Sequence, residues 1–270
     1  MESYLPLIIL MLATGLVGGV MAGLMGIGGG IVLVPVLEFA LGFIGVDPEI
    51  RMHVAVATSL ATIIPTSISS ARAHHRRGAV DVTLAKQWGP AICLGAAFGS
   101  WLAAKVGGSS LSAIFAVVAL FVATKMILPM EKIRLTKAVP RGLLGAIPPS
   151  LIGMISTMMG VGGGALSVTT LTFFNVPIHR AVGTSAFFGL MIAVPGMMGF
   201  MITGQGNMML PPGNVGYVNV IGFLILSPAT FLAAPLGVKI AHALTQRQLS
   251  MTFGAFLLIV AGRMFYRTLM

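Results

Sequence analysis

The chain has 270 residues, of which 57% are hydrophobic and only 8% charged, with a mean hydropathy of +1.00. That balance excludes a water-soluble globular domain, and the apolar runs fill the chain so fully that none could be appended. The formal charge of +10 does not point to nucleic acid, because the basic residues are confined to short segments between apolar runs, where they report topology.

A helix crossing a ~30 Å hydrocarbon core needs roughly 20 apolar residues. On that basis the sequence predicts an all-α integral membrane protein with ten segments at 5–25, 30–45, 54–71, 88–105, 111–129, 142–159, 164–175, 181–203, 217–238 and 249–267. The first run carries Glu2, lacks a basic leader and continues to Val46, so it reads as part of the mature fold rather than a cleaved signal peptide.

Between the first two segments lies Met25-Gly-Ile-Gly-Gly-Gly30. Four glycines in five positions break a helix. Non-helical backbone at membrane depth is tolerated only where protein or a wet cavity surrounds it. The helix starting after Gly28, Gly29 and Gly30 would turn unpaired N–H groups and its positive dipole end toward the gap, which suits an anion. The same residues also suit close helix packing or a tight turn between spans. Glu38 is the one acidic residue well inside an apolar segment, a candidate for a coupling proton or, alternatively, for snorkelling or an ion pair.

The third segment opens with His53-Val-Ala-Val-Ala-Thr58-Ser59. The hydroxyls of Thr58 and Ser59 could donate to a substrate oxygen without bringing charge into the membrane, or could bond the carbonyl one turn back. His53 near the segment start is either a proton carrier or a satisfied interfacial histidine. Cys93 is the single cysteine; it excludes a disulfide framework and reads as a small buried hydrophobe.

Past residue 130 the pattern repeats. Met159-Gly-Val-Gly-Gly-Gly164 matches the first glycine run at an offset of 134, and His179-Arg-Ala-Val-Gly-Thr184-Ser185 matches the His53 motif. Gly213-Asn-Val215 follows where Gly78-Ala-Val80 stood. The sequence therefore divides into a first membrane repeat over 1–130, a basic cytoplasmic connector over 131–141 and a second repeat over 142–270. The segment after Gly164 offers only roughly 17 Å of helix, so it is expected to stop at mid-membrane. Gly162, Gly163, Gly164, Thr184 and Ser185 are the second half's candidates for the site. Arg180 is either an anion contact or a topology determinant, and His179 stands beside His53 as a possible proton carrier.

Lys and Arg near segment ends are retained in the cytoplasm. With Arg72, Arg76 and Arg77 inside, only Arg51, Lys105, Arg263 and Arg267 of the 16 basic residues fall outside. Both termini are then external. Five segments per half is an odd number, so the second half enters from the opposite side and the repeats are inverted, an arrangement that recurs in secondary transporters. The 19 methionines serve as apolar filler rather than soft-metal ligands. No metal site, cofactor motif or ATP-binding loop is legible, and a nucleophile with its base is not either.

The two glycine breaks, the paired Ala-Val-x-Thr-Ser helices and Arg76-Arg77-Gly78-Ala-Val80 together resemble the TauE/SafE sulfite exporter family, over nearly the whole chain. The second half departs at Pro211-Pro212-Gly213, where the first has Arg76-Arg77-Gly78, as inversion under the positive-inside rule requires. The resemblance implies secondary transport of a small anion such as sulfite or an organosulfonate across a bacterial inner membrane. The expectation is alternating access at the glycine breaks, in the lipid bilayer, coupled to protons or to the anion gradient. An anion channel is the alternative. A membrane enzyme built on His53, His179 and Glu38 is a further one, and it needs those three side chains to converge.

Overall fold

The computed structural model describes residues 5–26, 28–127 and 143–269. The connector expected at 131–141, with Lys132, Arg134, Lys137 and Arg141, lies outside the described residues, as do the side chains of Lys125, Arg263 and Arg267.

Ten α-helices are present among the described residues: α1 Leu5–Met25, α2 Gly30–Phe43, α3 Pro48–His75, α4 Val82–Ala103, α5 Gly108–Ile127, α6 Leu143–Met159, α7 Gly164–Phe173, α8 Ile178–Thr203, α9 Val220–Ala241 and α10 Gln246–Leu269. Four of them (α1, α3, α8 and α9) are long and apolar enough to cross a membrane, and several more are shorter apolar helices. Leu94, Phe121, Leu232 and Ile259 stand exposed on the outside of the bundle, where in water they would be a liability and in lipid they are the solvated surface.

Several helices extend beyond their apolar cores, and capping explains where they start. Asp47 precedes Pro48 at the first turn of α3 and accepts from Glu49 N at 2.8 Å, so the helix begins six residues before the apolar run. Asp81 caps α4 by accepting from Leu84 N at 3.0 Å, drawing Lys86 and Gln87 into the helix. The segment expected from 217 starts at Val220 instead. Residues before it form a two-stranded hairpin, β1 Asn214–Val215 against β2 Val218–Asn219, and Asn219 then caps α9 through Gly222 N at 2.7 Å.

The strongest packing pairs α1 with α9, α4 with α6, α5 with α10 and α3 with α8. Small residues set the first two. A Cβ on Gly19 or Gly23 of α1 would collide with the α9 carbonyls of Thr230 or Ala234, and one on Gly95 or Gly99 of α4 would collide with Ser150 or Met154 of α6. In lipid, where apolar side chains gain little by leaving the solvent, such close backbone approach supplies the van der Waals attraction between helices. Thus the first helix of each half lies against the fourth helix of the other.

Helices α3 and α8 form the centre and run antiparallel. The end of α3, at His74, meets His242 after α9, with ring centroids 5.8 Å apart; His242 in turn stacks on His179 at the start of α8, at 5.5 Å. At the opposite end, His53 near the start of α3 stacks on Tyr217, which packs against Phe200 near the end of α8. Pro195 within α8 removes the amide that would have bonded Met191 O, and Cys93 Sγ donates to that freed carbonyl at 3.4 Å. Cys93 is therefore half-buried and weakly bonded between α4 and α8 rather than a fully buried hydrophobe.

Candidate functional site

Gly29 and Gly163 occupy the N-cap positions of α2 and α7 with φ of 80° and 71°, in the left-handed region that favours glycine. Neither offers a side chain to the first turn, so neither helix has a side-chain cap. Helices α3, α4 and α9 are all capped by Asp or Asn. Helix α8 lacks a capping side chain too, but it begins at exposed Pro177. The first turns of α2 and α7 are different: Gly30, Ile31, Gly164 and Ala165 are all buried. Two helix N-termini thus open into the protein interior.

The fold brings these two breaks into contact. A Cβ on Gly30 would strike Gly160 O and come within 3.0 Å of Ser59 Oγ, while Ser59 Oγ donates to Gly160 O at 2.8 Å. Gly160 lies against Val34 of α2 and Val56 of α3; Gly26 lies against Val182 and Ala186 of α8. Each break is therefore seated on the central helix of the other half. Gly162 O approaches Gly189 of α8 in the same layer, with Ser67 of α3 beside it.

Thr58 and Thr184 are fully buried, and both hydroxyls are already engaged. Thr58 Oγ1 accepts from Asn219 N at 2.9 Å, and Thr184 Oγ1 accepts from Asp81 N at 2.9 Å. In both cases the partner is the N-cap residue of a fourth helix, α9 for α3 and α4 for α8. The two threonines hold equivalent clasps, one toward each end of the bundle.

Their neighbours differ. Ser59 reaches Gly160, whereas Ser185 Oγ is buried without a hydrogen-bond partner. Three more buried serines without partners stand at the breaks, and the sequence did not single them out: Ser67, Ser156 and Ser167. They come from α3, α6 and α7, and none recurs as serine in the other half, so the recurrence of motifs that flagged the threonines passed over them.

The remaining candidates lie away from this centre. His53 is buried, with Nε2 3.1 Å from Ala103 O and 3.0 Å from Val106 O at the end of α4. His179 is exposed and stacks on His242. Because His242 also meets His74, and His53 and His74 are separated by 21 residues of continuous helix, His53 and His179 sit at opposite ends of the bundle, roughly 30 Å apart. They do not converge with each other. Glu38 is buried in α2, two turns into that helix from Gly30. Arg180 is exposed and pairs with Asp81 at 3.1 Å, one turn outward from Thr184. Beside it, partial desolvation, with Arg77 and His179 nearby, lowers the pKa of His242 below its ordinary 6.5. Among the described residues no group of three His, Cys, Asp or Glu has the arrangement needed to hold a metal ion.

A known family covers nearly the whole of this helical chain, both glycine breaks included. The sulfite exporter TauE/SafE family model matches residues 11–264. The chain belongs to the TauE/SafE family. It is 34% identical over 260 residues to a probable membrane transporter protein of Haemophilus influenzae, covering 96% of this chain and 98% of that one. The probable membrane transporter proteins YunE of Bacillus subtilis and MJ0441 of Methanocaldococcus jannaschii are each 24% identical, over 96% and 94% of this chain and 97% and 94% of their own lengths. No solved structure matches. As a TauE/SafE member whose relatives bear transporter names, and with its apolar spanning helices, the chain is a multi-pass membrane transporter.

Proposed function

We propose that this chain is a secondary transporter that moves a small sulfur-containing anion, sulfite or an organosulfonate, across the bacterial inner membrane by alternating access. The observation that carries the reading is the pair of uncapped helix N-termini, one from each half, opening into the buried interior at contacting glycine breaks. A helix terminus presents unpaired amides and about half a positive charge, which favours an anion in a buried setting. The family's name supplies the class of anion.

Inversion of the halves supplies the alternation. The antiparallel central pair, the reciprocal packing of α1 on α9 and α6 on α4, and the two equivalent threonine clasps are what two inverted five-helix repeats would produce. Opening the Thr184–Asp81 clasp while the Thr58–Asn219 clasp stays shut would expose the centre to one side, and the reverse to the other. With Arg72, Arg76 and Arg77 inside, the Thr184 side is cytoplasmic and both termini are external. The four motif hydroxyls of Thr58, Ser59, Thr184 and Ser185 are all fully buried, which favours an occluded carrier over an open pore.

The deciding experiment is flux of labelled sulfite, sulfoacetate, thiosulfate and sulfate in proteoliposomes, with and without a pH gradient. Sulfite or sulfoacetate should move at carrier rates and show exchange. If none of the four moves under any gradient, the sulfur-anion reading is wrong, and single-channel currents would replace alternation with a pore.

A further inference from the structure

Three buried hydroxyls converge on the glycine breaks with no protein partner, and they carry a more specific reading of the same site. Ser67, Ser156 and Ser167 are 0%, 1% and 0% exposed. An unpaired buried hydroxyl costs free energy that a stable fold does not normally leave unrecovered, and it is explained most simply when a ligand supplies the missing acceptor.

Their placement fits that account. Ser156 Oγ and Ser167 Oγ lie 3.3 and 3.6 Å from the point where a Cβ of Gly163 would be, at the mouth of α7. Ser67 Oγ lies 3.3 Å from the corresponding point on Gly28 and 2.5 Å from the one on Gly189, and this second point is 3.2 Å from Gly162 O. Ser67 therefore stands against both breaks, and the other two against the second. None of the atoms nearest Gly28, Gly30, Gly163 or Gly189 belongs to a Lys, Arg or His side chain. The two helix termini contribute about half a positive charge each there, or about one charge together.

We propose that Ser67, Ser156 and Ser167 are the side-chain donors of the anion site, and that the site is matched to a singly charged oxyanion. Three hydroxyls and the first-turn amides can each donate to an oxygen of a sulfonate or of hydrogensulfite. A dianion would leave about one negative charge uncompensated in a buried interior, which is costly even when well hydrogen-bonded. This inference rests on the anion-transport reading above and adds the donor set and the charge of the ligand.

The test is calorimetric titration of the full chain in nanodiscs with methanesulfonate, with sulfite below and above its second ionisation, and with sulfate. Methanesulfonate should bind equally at both pH values, sulfite about tenfold more tightly in its singly charged form, and sulfate at least about tenfold more weakly than methanesulfonate. Ser67→Ala, Ser156→Ala and Ser167→Ala should each weaken methanesulfonate by about tenfold, the loss of one hydrogen bond to a charged group, without lowering the melting temperature of the ligand-free protein. Wild-type affinity in the serine variants, sulfate binding as tight as methanesulfonate, or a substantial drop in ligand-free stability would each overturn the inference while leaving transport intact. Absence of binding by all of these anions to the unmodified chain would overturn the transport reading along with it.

Discussion

The two ends of the central helix pair are built on one plan and finished differently. At one end Thr58 accepts from Asn219, His53 is buried on the end of α4, and Tyr217 of the hairpin closes over it. At the other, Thr184 accepts from Asp81, the equivalent histidine is exposed, and the partners are His242 and the Asp81–Arg180 pair. Between them Ser59 is bonded to the opposite break while Ser185 is not. The two ends thus share the clasp and differ in its surroundings, and under the proposed alternating access that difference would let two gates facing different compartments open in turn.

The sharpest way to break this comparison is at the glycines. Gly160→Ala must tolerate a φ of 67° and a Cβ 2.9 Å from Val56 Cα, whereas Gly78→Ala faces a similar φ of 67° with nothing within 4 Å. Strain and overpacking together should cost the first about 3 kcal/mol or more and the second only about 1–2 kcal/mol, read as thermal unfolding in detergent. Leu at Gly163 would likewise strike Ile192 in a left-handed backbone, so loss of transport there reports packing and the serine substitutions are the cleaner site test.

Next come the clasps. Thr58→Val and Thr184→Val each strand a backbone N–H, at a cost of about 1–3 kcal/mol when buried. Asn219 is buried and Asp81 is only half-buried, so the Thr58 variant should lose more stability. Equal losses would mean the two ends are equally sealed. A smaller difference separates the serines: Ser59→Ala should cost about 1 kcal/mol through its bond to Gly160, and Ser185→Ala close to nothing, since its hydroxyl has no partner to lose.

The smallest effects belong to the exposed end. Arg180→Ala removes a solvent-screened pair whose arginine is 55% exposed, and should change stability by no more than about 1 kcal/mol. His242 has a folded pKa below 6.5, so as pH falls through 6.5 the unfolded chain takes up the proton first. Stability should therefore decline slightly with acidification below that point, and His242→Gln should flatten the decline. A melting curve that gains stability on acidification would show that the neighbouring cations do not press on this imidazole.

How far the sequence reached can be judged residue by residue. Hydropathy located each apolar core because exclusion from water is a property of composition. It started α3 and α4 too late because caps such as Asp47 and Asp81 lower the hydropathy of the very turns they stabilise, and it started α9 three residues early because Tyr217 and Val218 of the hairpin read as part of the apolar run. The glycine breaks were legible because left-handed backbone has few other solutions. Thr58 and Thr184 were visible as a repeated pair, but a repeat does not say what a hydroxyl touches. Ser67, Ser156 and Ser167 gave no sequence signal, since single serines in apolar helices are commonplace and these are not duplicated.

The sequence by itself determined that this chain lives in a membrane, that its helices break at two glycine runs, and that the glycine and His-x-Ala-Val-x-Thr-Ser patterns each occur twice. Those are consequences of solvent exclusion, backbone sterics and repetition, all of which are local or additive along the chain. Only the tertiary structure decided that each break rests on the central helix of the opposite half, that the threonines clasp helix ends, and that unpaired buried serines from three helices lie beside the glycine breaks. Such meetings depend on how close two backbones can come, and in a lipid-embedded bundle that distance is set jointly by small residues such as Gly19, Gly95 and Gly160 on helices far apart in sequence.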